Sequence, residues 1–420
     1  RRVPASGAPG ARHPPASRVS GGVRRSNDYL LAVLTVVSTM NWVDRQVVPI
    51  LFPGIRAELG LSDTELGIVG GLAFSLIYAV SGFGFGMAAD RYRRVYVIAF
   101  GLTLWSTATA AGAFVTDFTS LFWTRFFTGI GAASLFPCAL SLIGERFPPE
   151  RRGRALGIFG SAAAVGAGLG VGLGGRLAEM LGWRQVFLIY GGAGLLLLPL
   201  VFSFPEAPRP RTTAPTEPPW KVIRDLIADR RLLFMWMGGA MAIASAVGYA
   251  AWVPSYFVRN RGLAVSEAGA VFGGGALLGG IVGSLLGGLL ADRRRRVRFA
   301  GEFDVSIASA LVAAPLILLT INSTSPWIFM PIALVTSIAI FAFFPALPAV
   351  LLALVPKERH GLASALNVFF MGGLGSALGP FVVGVTSDLT GSLYVAMGLP
   401  AVGLLAAALL IGRAGRLARR

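Results

Sequence analysis

This chain of 420 residues has one cysteine, two histidines and only 20 acidic residues. Cys138 alone can form neither an internal disulfide nor a cysteine-based metal site. His13 and His360 fall in a tail and a loop, where solvated side chains are the expectation. There is no Gly-x-Ser-x-Gly elbow, no phosphate-binding loop and no cluster of metal-ligand residues, so the chain is not read as an enzyme and no cofactor is expected. ATP dependence lacks its loop as well, and any uphill work would draw on a gradient. Charged residues make up 14% of the chain, against about 25% in soluble domains. What fills the space is apolar: 55% hydrophobic residues, 55 glycines and a mean hydropathy of +0.70. Glycine is enriched in membrane helices because it lets backbones approach. The composition is that of a polytopic membrane protein.

A net charge of +17 could suggest nucleic acid, but its distribution argues against that partner. The basic residues sit in short clusters between long apolar segments, without aromatic interleaving. Spanning the hydrocarbon takes about 20 apolar residues as a helix, and twelve such runs occur, at 29–53, 65–89, 95–115, 119–145, 153–178, 183–204, 231–257, 266–290, 300–321, 326–355, 360–386 and 391–412. Of the 37 Lys and Arg, only Arg56, Arg176, Arg184, Arg259 and Arg261 lie in or beside the odd-to-even loops, and only Arg45 and Arg125 lie deep inside spans. The rest occupy the two tails and the alternate loops. By the positive-inside rule both termini are expected in the cytoplasm, in a multi-pass protein of the cell membrane.

The expected organisation is a disordered tail at 1–26, a six-helix bundle at 27–204, a linker at 205–230, a second six-helix bundle at 231–412 and a short tail at 413–420. The first tail, rich in Pro, Gly, Ser and Arg, has no apolar core that would make it a signal peptide. Its start without Met is read as incomplete or processed. Within the linker, Trp220 to Asp229 has the pattern of a short amphipathic helix. An internal repeat supports the division: "FPCALSLIGERFPPERRG" from Phe136 aligns without a gap to "FPALPAVLLALVPKERHG" from Phe344, and "GMAADRYRR" from Gly86 to "GLLADRRRR" from Gly288. An all-α membrane protein of twelve transmembrane helices in two parallel six-helix halves is the predicted fold.

With Gly86, Asp90, Arg91 and Arg94 between the second and third spans, and the motif repeated around Asp292, the sequence resembles the major facilitator superfamily from Tyr29 to Arg413. Arg93 stands where that loop motif usually has Gly or Asn. The resemblance implies a gate in which an acid at a helix end, held by Arg donors and a neighbouring helix N-terminus, closes the cytoplasmic side. Within the superfamily, the chain is most similar to the spinster family of lysolipid and sphingolipid transporters. Asn41, Trp42, Val43, Asp44 and Arg45 follow that family's first-span Asn-Tyr-x-Asp-Arg, and Arg125, Gly129, Gly131 and Ala133 match its fourth-span motif. Ala132 takes the place of the family's Glu, a departure that bears on proton coupling. The Gly-rich fifth span, Gly160 to Gly175, is read as a surface for close helix packing.

Asp44 and Arg125 lie roughly 14 and 9 Å below the far ends of their spans at 1.5 Å per residue, so the two could meet. Charge at that depth is costly unless it is paired or faces a water-filled cavity, and marks a functional site by default. The candidate substrate and proton residues are Asn41, Asp44, Arg45 and Arg125. Candidate cavity residues are Thr128, Tyr249, Trp252 and Asn367. The second half holds no acid or base in the core of its central spans. A cavity between a charged half and an apolar half suits an anionic amphiphile. The expected function is alternating-access transport of a lysophospholipid or related lipid by a monomer surrounded by membrane lipids, with protons as the candidate coupling ion. Two other readings remain open: a symporter for small organic anions such as sugar acids, and a lipid-binding sensor that does not transport.

Overall fold

The structure, a computed structural model, describes residues 16–203, 206, 219–356 and 359–419, and among them every regular element is helical. Helix α1, Ala16–Leu59, contains the first expected span. Eleven further helices are long and apolar enough to cross a membrane: α2 Asp63–Arg91, α3 Arg94–Phe114, α4 Phe118–Arg146, α5 Arg151–Leu181, α6 Trp183–Phe202, α7 Arg230–Arg261, α8 Val265–Val297, α9 Glu302–Asn322, α10 Pro326–Leu354, α11 His360–Thr390 and α12 Leu393–Ala418. With α1 they make the expected twelve. Helix α1 begins at Ala16, inside the stretch expected to be a disordered tail, and residues 1–15 lie outside the described residues. Of the expected linker, 205 and 207–218 also lie outside them. The amphipathic helix is present as Pro219–Ala228, with Val222 and Leu226 buried and Trp220 exposed.

Local chemistry sets the helix ends. At the end of the molecule away from the termini, here the far side, Gly60, Gly182, Gly262 and Gly391 all have positive φ, a conformation that ends a helix in one residue at no steric cost to glycine. Ser62 and Glu65 close a reciprocal capping box at the start of α2, and Asp117 caps α4 through the Ser120 N–H. These caps satisfy donors that a helix start leaves open.

The repeat seen in the sequence is a repeat in packing. In the first half α1 packs on α5, α2 on α4, and α3 on both α4 and α6; the second half pairs α7 with α11, α8 with α10, and α9 with both α10 and α12. Each pairing recurs six helices later. Contact between the halves runs through α2 with α11, α5 with α8, and α1 with α7.

Glycine makes the contact between halves possible. A Cβ added to Gly67 would stand 2.6 Å from the Pro380 carbonyl oxygen, and one added to Gly273 would stand 2.6 Å from the Gly172 nitrogen. Only backbones without side chains pack that closely. The packing reading of the Gly-rich fifth span therefore holds. Further toward the terminal side, a Cβ on Gly82, Gly86, Gly157 or Gly160 meets open space. The halves thus touch at the far side and diverge toward the terminal side. Three wide π-helical turns, Ile68–Leu72, Leu169–Leu173 and Val368–Gly375, fall in α2, α5 and α11. Such turns re-aim a helix face locally, and here they lie on helices that join the halves.

Candidate functional site

Helix α1 carries the expected charges on two different faces. Asp44 is 1% exposed and turned into the first half, whereas Asn41, Trp42, Arg45 and Gln46 are partly exposed. Helix α5 passes close to this partly exposed face, since a Cβ on Gly166 would meet Trp42 and one on Gly170 would approach Gln46. The Asn41 amide donates to the Ala132 carbonyl on α4 at 3.3 Å, tying α1 to the position where Ala replaces the expected Glu.

The Arg45 guanidinium lies on a floor of three rings, with its carbon 5.1 Å from the Trp42 centroid, 5.4 Å from Phe74 and 5.8 Å from Tyr78. Phe74 and Tyr78, on α2, are stacked at 5.7 Å. A cation over ring faces is held by the ring quadrupole, a contact that uses none of its N–H donors. Among the described residues, Arg45 has no ion pair or hydrogen bond. It is a half-buried cation whose donors remain available.

Arg125 is 2% exposed and stands 5.1 Å from the Phe74 ring. Among the described residues its Nε and Nη1 lack hydrogen-bond partners, as do both carboxylate oxygens of Asp44. The two groups are near enough for Coulombic attraction, yet form no ion pair. In this conformation Arg125 is enclosed by α1 and α2, and Arg45 is the partly exposed cation of the two. Trp105 and Ser106 on α3 and Ser134 on α4 add further buried polar atoms without partners. Unpaired buried polar groups are rare and costly, and the unpartnered Asp44 and Arg125 are the charged ones among those inside the first half.

The expected cavity residues fare unevenly. Thr128 is 1% exposed and donates to the Thr124 carbonyl at 2.7 Å, so it is spent inside α4. Tyr249 is 4% exposed, and Trp252 is fully buried with its Nε1 donating to the Pro380 carbonyl at 2.9 Å. In this conformation all three lie in the core instead of lining an open cavity, Tyr249 with its hydroxyl unpartnered among the described residues. Asn367, half-buried with an unpartnered Oδ1, remains a candidate. The half-buried Leu277 of α8 meets α5 at Gly168, and the half-buried Phe341 of α10 lies beside Gly280 of α8, which itself packs on Ala164 of α5.

The expected gate also differs in detail. Gly86, Asp90 and Arg91 lie at the terminal end of α2, where the halves are apart. Arg94 is 2% exposed, with Nε donating to Glu206 and Nη2 to Glu145, both at 2.5 Å, and Nη1 donating to Ser141 at 2.8 Å. Glu206 also accepts from the Val95 N–H at 3.0 Å, capping α3. Arg94 is therefore a brace within the first half in this conformation. Sequence reasoning missed Glu206, whose one signal was an acid just beyond the sixth span. It also missed Phe74 and Tyr78, which carried none.

Two six-helix halves that touch at one side and part at the other around buried charge have the architecture of a membrane transporter. The model of the Major Facilitator Superfamily matches residues 34–380, and the chain belongs to that family. It is 33% identical over 349 residues to an MFS-type efflux pump of Mycolicibacterium smegmatis, covering 81% of this chain and 80% of that protein. A probable galactarate/D-glucarate transporter, GudP of Bacillus subtilis, is 27% identical, with 81% and 82% covered. Protein spinster homolog 1 of Xenopus laevis is also 27% identical, with 82% and 72% covered. Among solved structures, a bacterial homolog of the human lysosomal transporter spinster, inward-facing and unoccupied, superposes with a TM-score of 0.83 at 23% identity, over 94% of this chain and 98% of that one. The protein is thus a multi-pass membrane transporter close to the spinster family, and not an enzyme.

Proposed function

We propose that the protein carries an anionic amphiphile, a lysophospholipid or related lipid, across the cell membrane by alternating access, with both termini in the cytoplasm. The observation that carries this reading is Arg45: a half-buried guanidinium at membrane depth with free donors, in a protein whose second half holds no acid or base in the core of its central spans. Its planar fork suits a phosphate or carboxylate, and the apolar wall of Leu277 and Phe341 suits a hydrocarbon chain. An anion engaging Arg45 would also reach the field of Arg125 and weaken its hold on Asp44. Asp44 would then take up a proton, and by linkage protonation would favour the anion equally. This is coupling through one carboxylate, consistent with Ala132 standing where a second acid was expected.

A second reading is favoured by the similarity to GudP: a symporter for sugar acids, in which Arg45 binds a carboxylate and the apolar wall is idle. Flux in proteoliposomes separates the two. Uptake of lysophospholipids that depends on chain length supports the lipid reading, and competition by sugar acids alone rejects it. Arg45→Ala is expected to lower apparent affinity about 10- to 100-fold, the loss of a charge-assisted hydrogen bond of about 1.5–3 kcal/mol. Arg45→Lys should recover only part. Unchanged affinity in Arg45→Ala removes the residue from the site, and binding without flux makes the protein a sensor.

A further inference from the structure

The far side is sealed by a polar cluster to which both halves contribute. Asp63, in the first turn of α2, is 2% exposed. Its carboxylate accepts from Arg259 Nη1 of α7 at 2.8 and 3.1 Å, from Ser387 Oγ of α11 at 2.6 Å, and from Arg56 of α1. Asp388 of α11 reaches in the opposite direction: its Oδ1 accepts from the Asp63 N–H at 3.1 Å and its Oδ2 from the Thr64 N–H at 2.7 Å. Ser62 takes the next donor, Glu65 N–H, at 3.2 Å. A carboxylate from the second half therefore completes the N-terminal cap of a helix in the first.

We propose that Asp388, with Asp63 and Arg259, is the far-side gate of the transport cycle, acting as a set of positioning residues that hold the protein closed on this side. Two physical points carry this. First, the cluster balances two carboxylates against two guanidinia only while the halves touch. Parting them strips Asp63 of Arg259 and Ser387 and leaves the first two N–H groups of α2 without the acceptor that also complements the helix dipole. Second, the cluster ends a continuous seam. Gly373, Ala377, Pro380, Gly384 and Asp388 share one face of α11, and α2 meets that face at Ala79, Gly71, Gly67 and Asp63. At Gly384 an added Cβ would collide with the Asp63 carbonyl, so the seam is tightest at the charges. Opening must break the charged end and release the glycine seam together, which makes the gate two-state instead of graded.

The proposal needs no assumption about cargo, and its test uses none. On a Cys138→Ala background, Ala377→Cys reports the far-side seam, where Ala377 is 1% exposed. Gly160→Cys reports the terminal-side opening, where a Cβ meets open space. Labelling by a hydrophilic maleimide is measured on the full chain in detergent. Adding Asp388→Ala, or Asp63→Asn, should speed labelling at 377 about tenfold or more, as expected for losing hydrogen bonds to a charged group, and slow it at 160. Asp388→Asn, which can still cap, should stay near the parent. Faster labelling at both positions would mean general loosening, and unchanged labelling at 377 would mean no gate. Either result overturns the proposal.

Discussion

Removing Arg125 should damage the protein in a way that removing Arg45 does not, and the difference follows from burial. Arg125 and Asp44 are 2% and 1% exposed, and neither Asp44 oxygen has a hydrogen-bond partner. The attraction between them is therefore the main compensation for two desolvated charges. Two unit charges about 4 Å apart attract by about 4 kcal/mol at an effective dielectric constant near 20, and this pair, which makes no ion-pair contact, gains somewhat less, about 3 kcal/mol. Arg125→Leu forfeits that attraction and strands a buried carboxylate, so a loss of about 3 kcal/mol is expected, within the range seen when one partner of a buried pair is removed. Asp44→Asn strands the guanidinium and should cost about 2 kcal/mol. The double variant Asp44→Asn/Arg125→Leu leaves neither charge, and should be more stable than the two single losses predict by about 2–3 kcal/mol. Equilibrium unfolding in mixed micelles measures all four proteins as a cycle. If the single losses add to within about 0.5 kcal/mol, the two charges do not compensate each other, and their burial without partners needs another explanation.

Two further predictions concern braces at the terminal side. Glu206→Ala leaves the buried Arg94 with Glu145 and removes the acceptor from Val95 N–H, so about 2–4 kcal/mol should be lost in the same unfolding assay; Glu206→Gln, which keeps an acceptor, should lose less. Asp229 caps α7 from just outside the span, accepting from the Arg231 N–H at 2.8 Å and from its guanidinium. Burial pushes this carboxyl up, but the Arg231 donors outweigh it and hold it below its usual value. Its contribution is therefore present above the unfolded value of about 3.9 and is lost as pH falls through the lower folded value. Asp229→Ala should cost about 1 kcal/mol at neutral pH, and the difference from the parent should vanish in acid.

How much of this was legible in the sequence depends on what each feature requires. The twelve spans needed only apolar length, and the division into halves needed only the repeat around Phe136 and Phe344. The importance of Asp44, Arg45 and Arg125 followed from the cost of charge in hydrocarbon. What the sequence does not carry is helix rotation. Asp44 and Arg45 are neighbours about 100° apart on α1, from the 3.6-residue turn, so one faces the protein and the other the opening; which is which depends on where α2 and α5 pack. The same uncertainty sent Thr128, Tyr249 and Trp252 to the cavity when packing draws them inward. Glu206 was hidden differently, in a Pro-rich stretch whose composition signals a linker even though this residue is 8% exposed against α3.

Helix α2 then acquires a role that neither of its ends suggests alone. Asp63 opens it at the far side and Asp90 stands near its end at the terminal side, with the aromatic floor under Arg45 between them. In the observed conformation the Asp63 end is bound across the halves and the Asp90 end lies where they are apart. On the proposed reading, with Asp90 gating the terminal side as Asp63 gates the far side, α2 couples the two gates mechanically, because the rotation that brings Asp90 toward the second half withdraws Asp63 from Arg259 and Asp388. It also moves Phe74 and Tyr78, and with them the floor on which Arg45 rests. On these proposals the aromatic floor of the anion site and one acid of each gate ride on a single helix, and binding energy gained at Arg45 can bias which end of α2 is engaged only to the extent that the anion fits the two positions of that floor differently.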